Sequence, residues 1–177
     1  MRGISFRNER EKIKIQTLGL EQLKKGMVSK EALFLGEQHK KQIESHYLPK
    51  MSIRFINEKV GYGAFLEEPL EPNSYAGEYT GVVRENARIY FAPLNNYLME
   101  YPVLDRFGRS LVIDAKNGNS CRFINHSSEP NLKTHYAFID GLYHSILLSL
   151  KKIEVGEQLT YDYGANYWML RSNPEKL

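Results

Sequence analysis

The spacing of apolar residues changes once along this chain, near residue 50. Residues 8 to 48 carry little Gly or Pro and set Ile13, Leu20, Leu23, Leu33 and Phe34 among many charges. That pattern predicts two amphipathic helices broken near Gly26, with Pro49 marking their end. From Met51 onward the apolar residues fall in short β-rich runs: Ile53 to Ile56, Tyr75 to Val83, Leu111 to Ile113, Lys133 to Ile139, Tyr143 to Leu150 and Gln158 to Tyr163. Gly, Pro, Asn and Asp punctuate them. Asp140-Gly141 between two of the runs predicts a hairpin, because a type I′ turn needs positive φ at both central positions. The class is mainly β, with an α-helical N-terminal extension over residues 1–50. Residues 84 to 109 are the least regular part, with Pro93, Pro102 and several Asn and Arg between strand-like pieces. No internal repeat or low-complexity tract is visible.

Composition narrows the class. The 177 residues make one domain, or one domain with an appendage, and are enough to bury a core. A single cysteine, Cys121, excludes an intramolecular disulfide and a multi-cysteine zinc site, and it fits a reducing compartment. No apolar run approaches the ~20 residues that span a bilayer, and the N-terminus lacks a signal-peptide hydrophobic region, so a soluble protein is expected. The net charge of +3 hides an asymmetry. Residues 1–50 carry eleven Lys and Arg against six Asp and Glu, and the remainder carries thirteen against fifteen. The basic arm reads as a solvated helical face, with contact to nucleic acid or an acidic partner as the alternative. The slightly acidic body suits a substrate whose target is a cation in a basic tail.

Two polar blocks carry the chemistry. In Arg122-Phe123-Ile124-Asn125-His126-Ser127-Ser128-Glu129-Pro130-Asn131, Asn and Ser bond nearby backbone and Pro fixes φ, so the run predicts a tight turn. In Gly156-Glu157-Gln158-Leu159-Thr160-Tyr161-Asp162-Tyr163-Gly164, Leu159, Tyr161 and Tyr163 alternate with polar residues, so on a strand both phenols share a face. Upstream stand Gly61-Tyr62-Gly63-Ala64-Phe65, placed before a strand, and Tyr75-Ala76-Gly77-Glu78-Tyr79-Thr80-Gly81. In this order the four blocks resemble the motifs of the SET-domain protein lysine methyltransferases. The combination of Trp168 after Tyr163 with a cysteine-free C-terminus is most similar to the short SET proteins of obligate intracellular bacteria.

The resemblance implies a SET β-fold over residues 51–170, with a C-terminal knot-like crossing, a variable insert at about 84–109 that shapes the substrate groove, and a tail at 171–177. It implies methyl transfer from S-adenosylmethionine to a lysine amine of a histone or histone-like protein. Such an in-line displacement needs alignment, a desolvated channel and a neutral amine more than an acid–base pair. Tyr163 then stands near the transferring methyl. Tyr161, where the family carries Phe or Tyr, limits the methyl count and implies mainly monomethylation. Tyr97 lines the lysine channel, and Tyr101 either assists or belongs to the core. Gly61 and Gly63 would let the backbone approach the methionine part of the cofactor, since a Cβ would clash there, and Tyr62 between them belongs to the same cofactor-binding set. Asn125 and His126 would hold the cofactor's amino group and adenine, preceded by Arg122 and Phe123. Trp168 would cover the adenine or the channel wall. No metal is expected: Ser128 stands where zinc-binding relatives carry Cys, and His135 and His144 fall on different predicted strands without ligand-spaced partners. The loop Asp114-Ala115-Lys116-Asn117-Gly118-Asn119 is about one residue shorter than the family's, so its channel residues are not transferred.

The resemblance to bacterial members further implies a chromatin-regulating effector secreted to the host nucleus, or otherwise a protein of the bacterial cytoplasm. The apolar faces of the N-terminal helices offer a homodimer contact. The rival reading is a non-catalytic SET-like module that binds a protein or nucleic acid through those helices.

Overall fold

The computed structural model describes residues 3–85, 95–105 and 107–168. The expected tail at 171–177, the last two residues of the expected SET segment and the middle of the insert lie outside the described residues. Two helices open the chain. α1 (Glu9–Lys24) is capped by the Asn8 side chain, which accepts from the Glu11 amide, and has Glu9 and Glu11 in its first turn and Lys24 in its last, as the helix dipole favours. It ends where expected: the Gly26 amide donates to Leu23 and that of Met27 to Gln22, with Gly26 at φ 67°, a Schellman closure. Ser29 caps α2 (Lys30–Glu44) through the Ala32 amide.

Among the described residues, ten strands form three sheets. β1 (Met51–Asn57) and β2 (Gly61–Leu66) make an antiparallel pair. β4 (Val82–Glu85), β5 (Leu98–Leu104) and β6 (Ser110–Asp114) make a three-stranded sheet in the order β4-β6-β5. β3 (Tyr75–Glu78), β7 (Asn125–His126), β8 (Leu132–Ile139), β9 (Leu142–Ser149) and β10 (Thr160–Tyr161) make a five-stranded sheet in the order β3-β9-β8-β10-β7. β8 and β9 are joined by the expected Asp140-Gly141 turn, with φ of 49° and 85°. α3 (Ala165–Trp168) is one turn long.

The run expected over Tyr75 to Val83 is two strands in two sheets. The chain turns at Thr80-Gly81, where the Asn119 amide bonds the Thr80 hydroxyl and the Asn119 side chain bonds the Glu78 carbonyl. A Cβ on Gly81 would lie 2.4 Å from the Asp114 carbonyl oxygen, so only glycine permits this corner.

The helices pack on the β8–β9 hairpin through a face that the apolar pattern of the sequence does not mark. Ile13, Leu20, Leu23, Leu33 and Phe34 are exposed; the buried positions are Ile15, Gly19, Ala32, Leu35, Gly36, His39 and Ile43. The reason is close backbone approach. A Cβ on Gly19 would meet the Gly141 carbonyl oxygen at 2.0 Å, and one on Gly36 the Phe138 carbonyl oxygen at 2.1 Å. Glycine therefore sets the seam, and the larger apolar side chains flank it outward.

Candidate active site

β7 and β8 follow one another in sequence, yet β10 lies between them, running parallel to both: Thr160 pairs with Asn125, and Tyr161 with His126 and Leu132. Residues 127–131 therefore pass around β10, which is the expected knot-like crossing. Asn131, 7% exposed, clasps it. Its Oδ1 accepts from the Thr160 amide at 2.9 Å and its Nδ2 donates to the Gln158 carbonyl at 2.8 Å. Nothing in the sequence separates Asn131 from an ordinary turn asparagine, because its partners lie 27 and 29 residues away.

The strand expected over Gln158 to Tyr163 is regular only at Thr160–Tyr161. Beyond it the Tyr163 amide donates to His126 Nδ1 at 3.2 Å, and the Tyr163 hydroxyl donates to the Ile124 carbonyl at 2.9 Å. With Nδ1 accepting, the neutral imidazole carries its hydrogen on Nε2. The two phenols meet as expected, with ring centroids 4.7 Å apart. Tyr167 packs edge-on to Tyr163 at 4.6 Å, and Trp168 stacks over Tyr163 at 6.1 Å while touching His126 at 5.0 Å. Burial, then the neighbouring phenols, pushes the Tyr161 and Tyr163 hydroxyls well above the usual phenol pKa; Tyr79, buried at the end of β3, is raised in the same way. All three stay protonated near neutrality, so they donate hydrogen bonds and do not act as bases. Tyr79 lies in the Tyr75 to Gly81 block and Tyr167 next to Trp168, but neither position alone places a phenol beside Tyr161 and Tyr163.

The cofactor-side residues come together along β2. Asn125 Nδ2 donates to the Tyr62 carbonyl at 3.0 Å, and the Tyr62 and Phe123 rings lie 6.3 Å apart. The Arg122 guanidinium sits over Phe123 at 4.6 Å and over Tyr97 at 5.4 Å, and it donates to the Lys116 carbonyl. Gly61 and Gly63 lie within β2 and not before it, and their reasons differ. Gly61 has φ 77° and open space where a Cβ would stand, so the need is conformational; a Cβ on Gly63 would meet Ile56 at 2.7 Å and Gln158 at 2.9 Å. Three buried donors at or beside these elements, Arg122 Nε, Gln158 Nε2 and Trp168 Nε1, have no hydrogen-bond partner among the described residues. Buried donors without acceptors are uncommon. A ligand bearing carboxylate, hydroxyl and ring-nitrogen acceptors supplies what they lack, so the residues fit S-adenosylmethionine.

The insert reaches the site through Tyr97. The Asp114 carboxylate pairs with Arg84 at 2.8 Å and accepts from Asn95 at 2.8 Å; Asn95 accepts from the Tyr97 amide at 2.9 Å. Tyr101 belongs to the core: it is buried, and its hydroxyl accepts from the Tyr143 amide. His135 bonds Glu31 and His144 bonds Glu78, and among the described residues no three His, Cys, Asp or Glu gather as a metal site.

A SET fold with a parallel C-terminal crossing and a phenol cluster beside an Asn-His pair defines the class. The SET domain family model matches residues 61–164, and the chain belongs to that family. It is 36% identical over 137 residues to histone-lysine N-methyltransferase ash1 of Drosophila melanogaster, spanning 72% of this chain and 6% of that protein. It is 32% identical over 136 residues to histone-lysine N-methyltransferase ASHH3 of Arabidopsis thaliana, spanning 72% of this chain and 36% of that protein. In the crystal structure of the Chaetomium thermophilum polycomb repressive complex 2 it matches a chain with a TM-score of 0.60 and 24% identity, over 72% of this chain and 17% of that one. The chain thus spans about a third or less of the relatives it matches.

Proposed function

We propose that the protein transfers a methyl group from S-adenosylmethionine to a lysine amine of a histone or histone-like protein. The observation that carries the reading is the Tyr163 hydroxyl, held on the Ile124 carbonyl inside a cluster of buried, protonated phenols beside Asn125 and His126. The names of the relatives, each a histone-lysine N-methyltransferase, support the substrate class.

The cofactor supplies an electrophilic methyl on a sulfonium. In this reading Asn125, His126 and Trp168 hold it against β2, with Gly61, Tyr62, Gly63, Arg122 and Phe123 around it. Tyr163 and the Ile124 carbonyl surround the point of transfer. The aromatic walls of Tyr161, Tyr163, Tyr167 and Tyr97 exclude water and favour a cationic centre by their ring faces. Since the phenols stay protonated, the lysine must shed its proton elsewhere. With an ordinary pKa of about 10.4, its neutral form costs about 4 kcal/mol near pH 7.4, which entry into a dry channel reduces. Incubating the purified protein with labelled S-adenosylmethionine, core histones and bacterial basic proteins tests the reading. Label on none of them, with the cofactor bound, indicates the non-catalytic module instead.

Tyr161 sets product number in this reading. Its hydroxyl orients the amine or a water and leaves a monomethylated lysine poorly placed for a second transfer. Replacing it with Phe frees space and removes one hydrogen bond; a difference of ~1.4 kcal/mol between successive barriers is already tenfold in rate. Mass spectrometry of the product is expected to move from one methyl in the wild type to two or three in Tyr161→Phe. Unchanged distributions would assign the count to another group.

The enzyme works without zinc: activity should survive millimolar EDTA, and a chelator-sensitive preparation would refute this. The unit carrying the activity is residues 51–170, preceded by the helical arm 1–50. Placement among short bacterial effectors acting on host chromatin rests on Trp168 and the cysteine-free C-terminus, and the substrate panel separates host from bacterial targets. The outward Ile13, Leu20, Met27 and Phe34 support pairing of the helices between two chains.

A further inference from the structure

A second cavity stands apart from the methyl-transfer site. It is a groove of about 480 Å³ between the C-terminal half of α2 and the segment entering β3, lined by His39, Gln42, Tyr47, Leu70, Asn73, Ser74 and Tyr75. β3 and β7 are the two ends of the strand order in the five-stranded sheet, and none of the residues lining the groove belongs to the Asn125-His126 and Tyr161-Tyr163 cluster.

Its floor is chemically unfinished. His39 is 4% exposed and Tyr75 5%, yet neither nitrogen of the imidazole nor the phenol oxygen has a hydrogen-bond partner among the described residues. The two rings lie 5.4 Å apart and both line the groove. A buried polar group without a partner costs free energy, and a fold that keeps three together around a cavity is built for something that enters it. The wall is fixed: the Asn73 amide donates to the Ser149 carbonyl at 2.8 Å and the Ser74 amide to the Ser149 hydroxyl at 2.9 Å. Tyr47, 44% exposed with its ring 6.3 Å from that of Tyr75, forms the outer rim of the groove.

The lining decides the ligand class. No Asp, Glu, Lys or Arg is among the lining residues, so an ionised ligand would leave its charge without a partner. Burial, then the nearby His135, lowers the His39 pKa, so the ring stays neutral and offers one donor and one acceptor. Tyr75 offers either. The rings of Tyr47, Tyr75 and His39 suit a flat partner. We propose that this groove is a second binding site, for an uncharged planar heteroaromatic ring of nucleobase type, whose edge carries both a donor and an acceptor that His39 and Tyr75 complete.

The test uses the full chain saturated with S-adenosylhomocysteine, so that no probe enters the methyl-transfer site. Adenine and hypoxanthine are titrated while amide chemical shifts are followed, with benzoate and benzylammonium as charged planar controls. The expected result is saturable shifts at Gln42, Asn73 and Ser74 with the neutral rings and at least tenfold weaker binding of both charged ones. Tyr75→Phe, which keeps the ring's volume, is expected to weaken binding tenfold or more without lowering the melting temperature, because the lost hydroxyl has no partner among the described residues. His39→Gln, retaining a donor and an acceptor, should keep part of the affinity. Absence of shifts at these amides up to millimolar adenine and hypoxanthine overturns the proposal, and so does equal binding of the charged rings. Methyl transfer by both variants should match the wild type, so failure here leaves the catalytic reading standing, and loss of methyl transfer in the wild type leaves this one testable.

Discussion

Tyr163→Phe is expected to lower the rate of methyl transfer by a factor of 100 or more while leaving the affinity for S-adenosylmethionine within about threefold. The substitution removes one oxygen and no packing volume. That oxygen donates to the Ile124 carbonyl, so its loss frees a carbonyl at the point of transfer and removes the only polar atom of the ring that Trp168, Tyr167 and Tyr161 surround. A hundredfold corresponds to about 2.7 kcal/mol of transition-state stabilisation, of the size expected for a positioned, desolvated donor. The Tyr163 amide, which holds His126, is untouched, and so binding and rate should separate. Calorimetry with the cofactor and a single-turnover assay with a histone substrate measure the two. An unchanged rate removes Tyr163 from the mechanism, and a lost affinity makes it a binding residue.

Asn131→Ala is expected to have the largest effect on stability, by about 2–4 kcal/mol, because it leaves the buried Thr160 amide and the Gln158 carbonyl without partners. For a domain of this size that is a fall in melting temperature of roughly 10 °C. Asn131→Asp separates the two bonds. It keeps an acceptor for Thr160 and sets a carboxylate oxygen against the Gln158 carbonyl, so it should also destabilise. Activity should fall with Asn131→Ala even well below the melting temperature, since β10 carries Tyr161 and leads into Tyr163. Thermal melts and kcat measured at a temperature where the variant is folded decide it; full kcat there would mean that the β7 and β8 ladders place β10 without the clasp.

The sequence was legible where local chemistry decides. Gly26 breaks the two helices and Asp140-Gly141 makes its hairpin, because each depends on neighbours within a few residues. The pairing of Tyr161 with Tyr163 follows from alternation and survives a strand only two residues long, because the His126 bond to the Tyr163 amide continues what the ladder begins. What failed depends on distant partners. The face of the helices that meets the hairpin left no signal, because Gly19 and Gly36, which decide it, are neither apolar in bulk nor helix-favouring. The corner at Gly81 is set by the Asp114 carbonyl, and the clasp of Asn131 by a strand that follows almost thirty residues later. The Asp114–Asn95–Tyr97 relay likewise joins residues that no motif spans.

Because β10 lies between two strands made well before it, the order of synthesis constrains when the protein becomes competent. β7, β8 and β9 emerge from the ribosome while the slot between the first two is still empty, and residues 127–131 must hold it open or close it wrongly until Thr160 arrives. Inserting a short parallel strand over such a separation incurs its loop-closure cost before any of its hydrogen bonds form, so this step should be the slow one in refolding. Tyr161 and Tyr163 are therefore placed after β7, β8 and β9 have formed, and the nascent chain packs before its candidate site is complete.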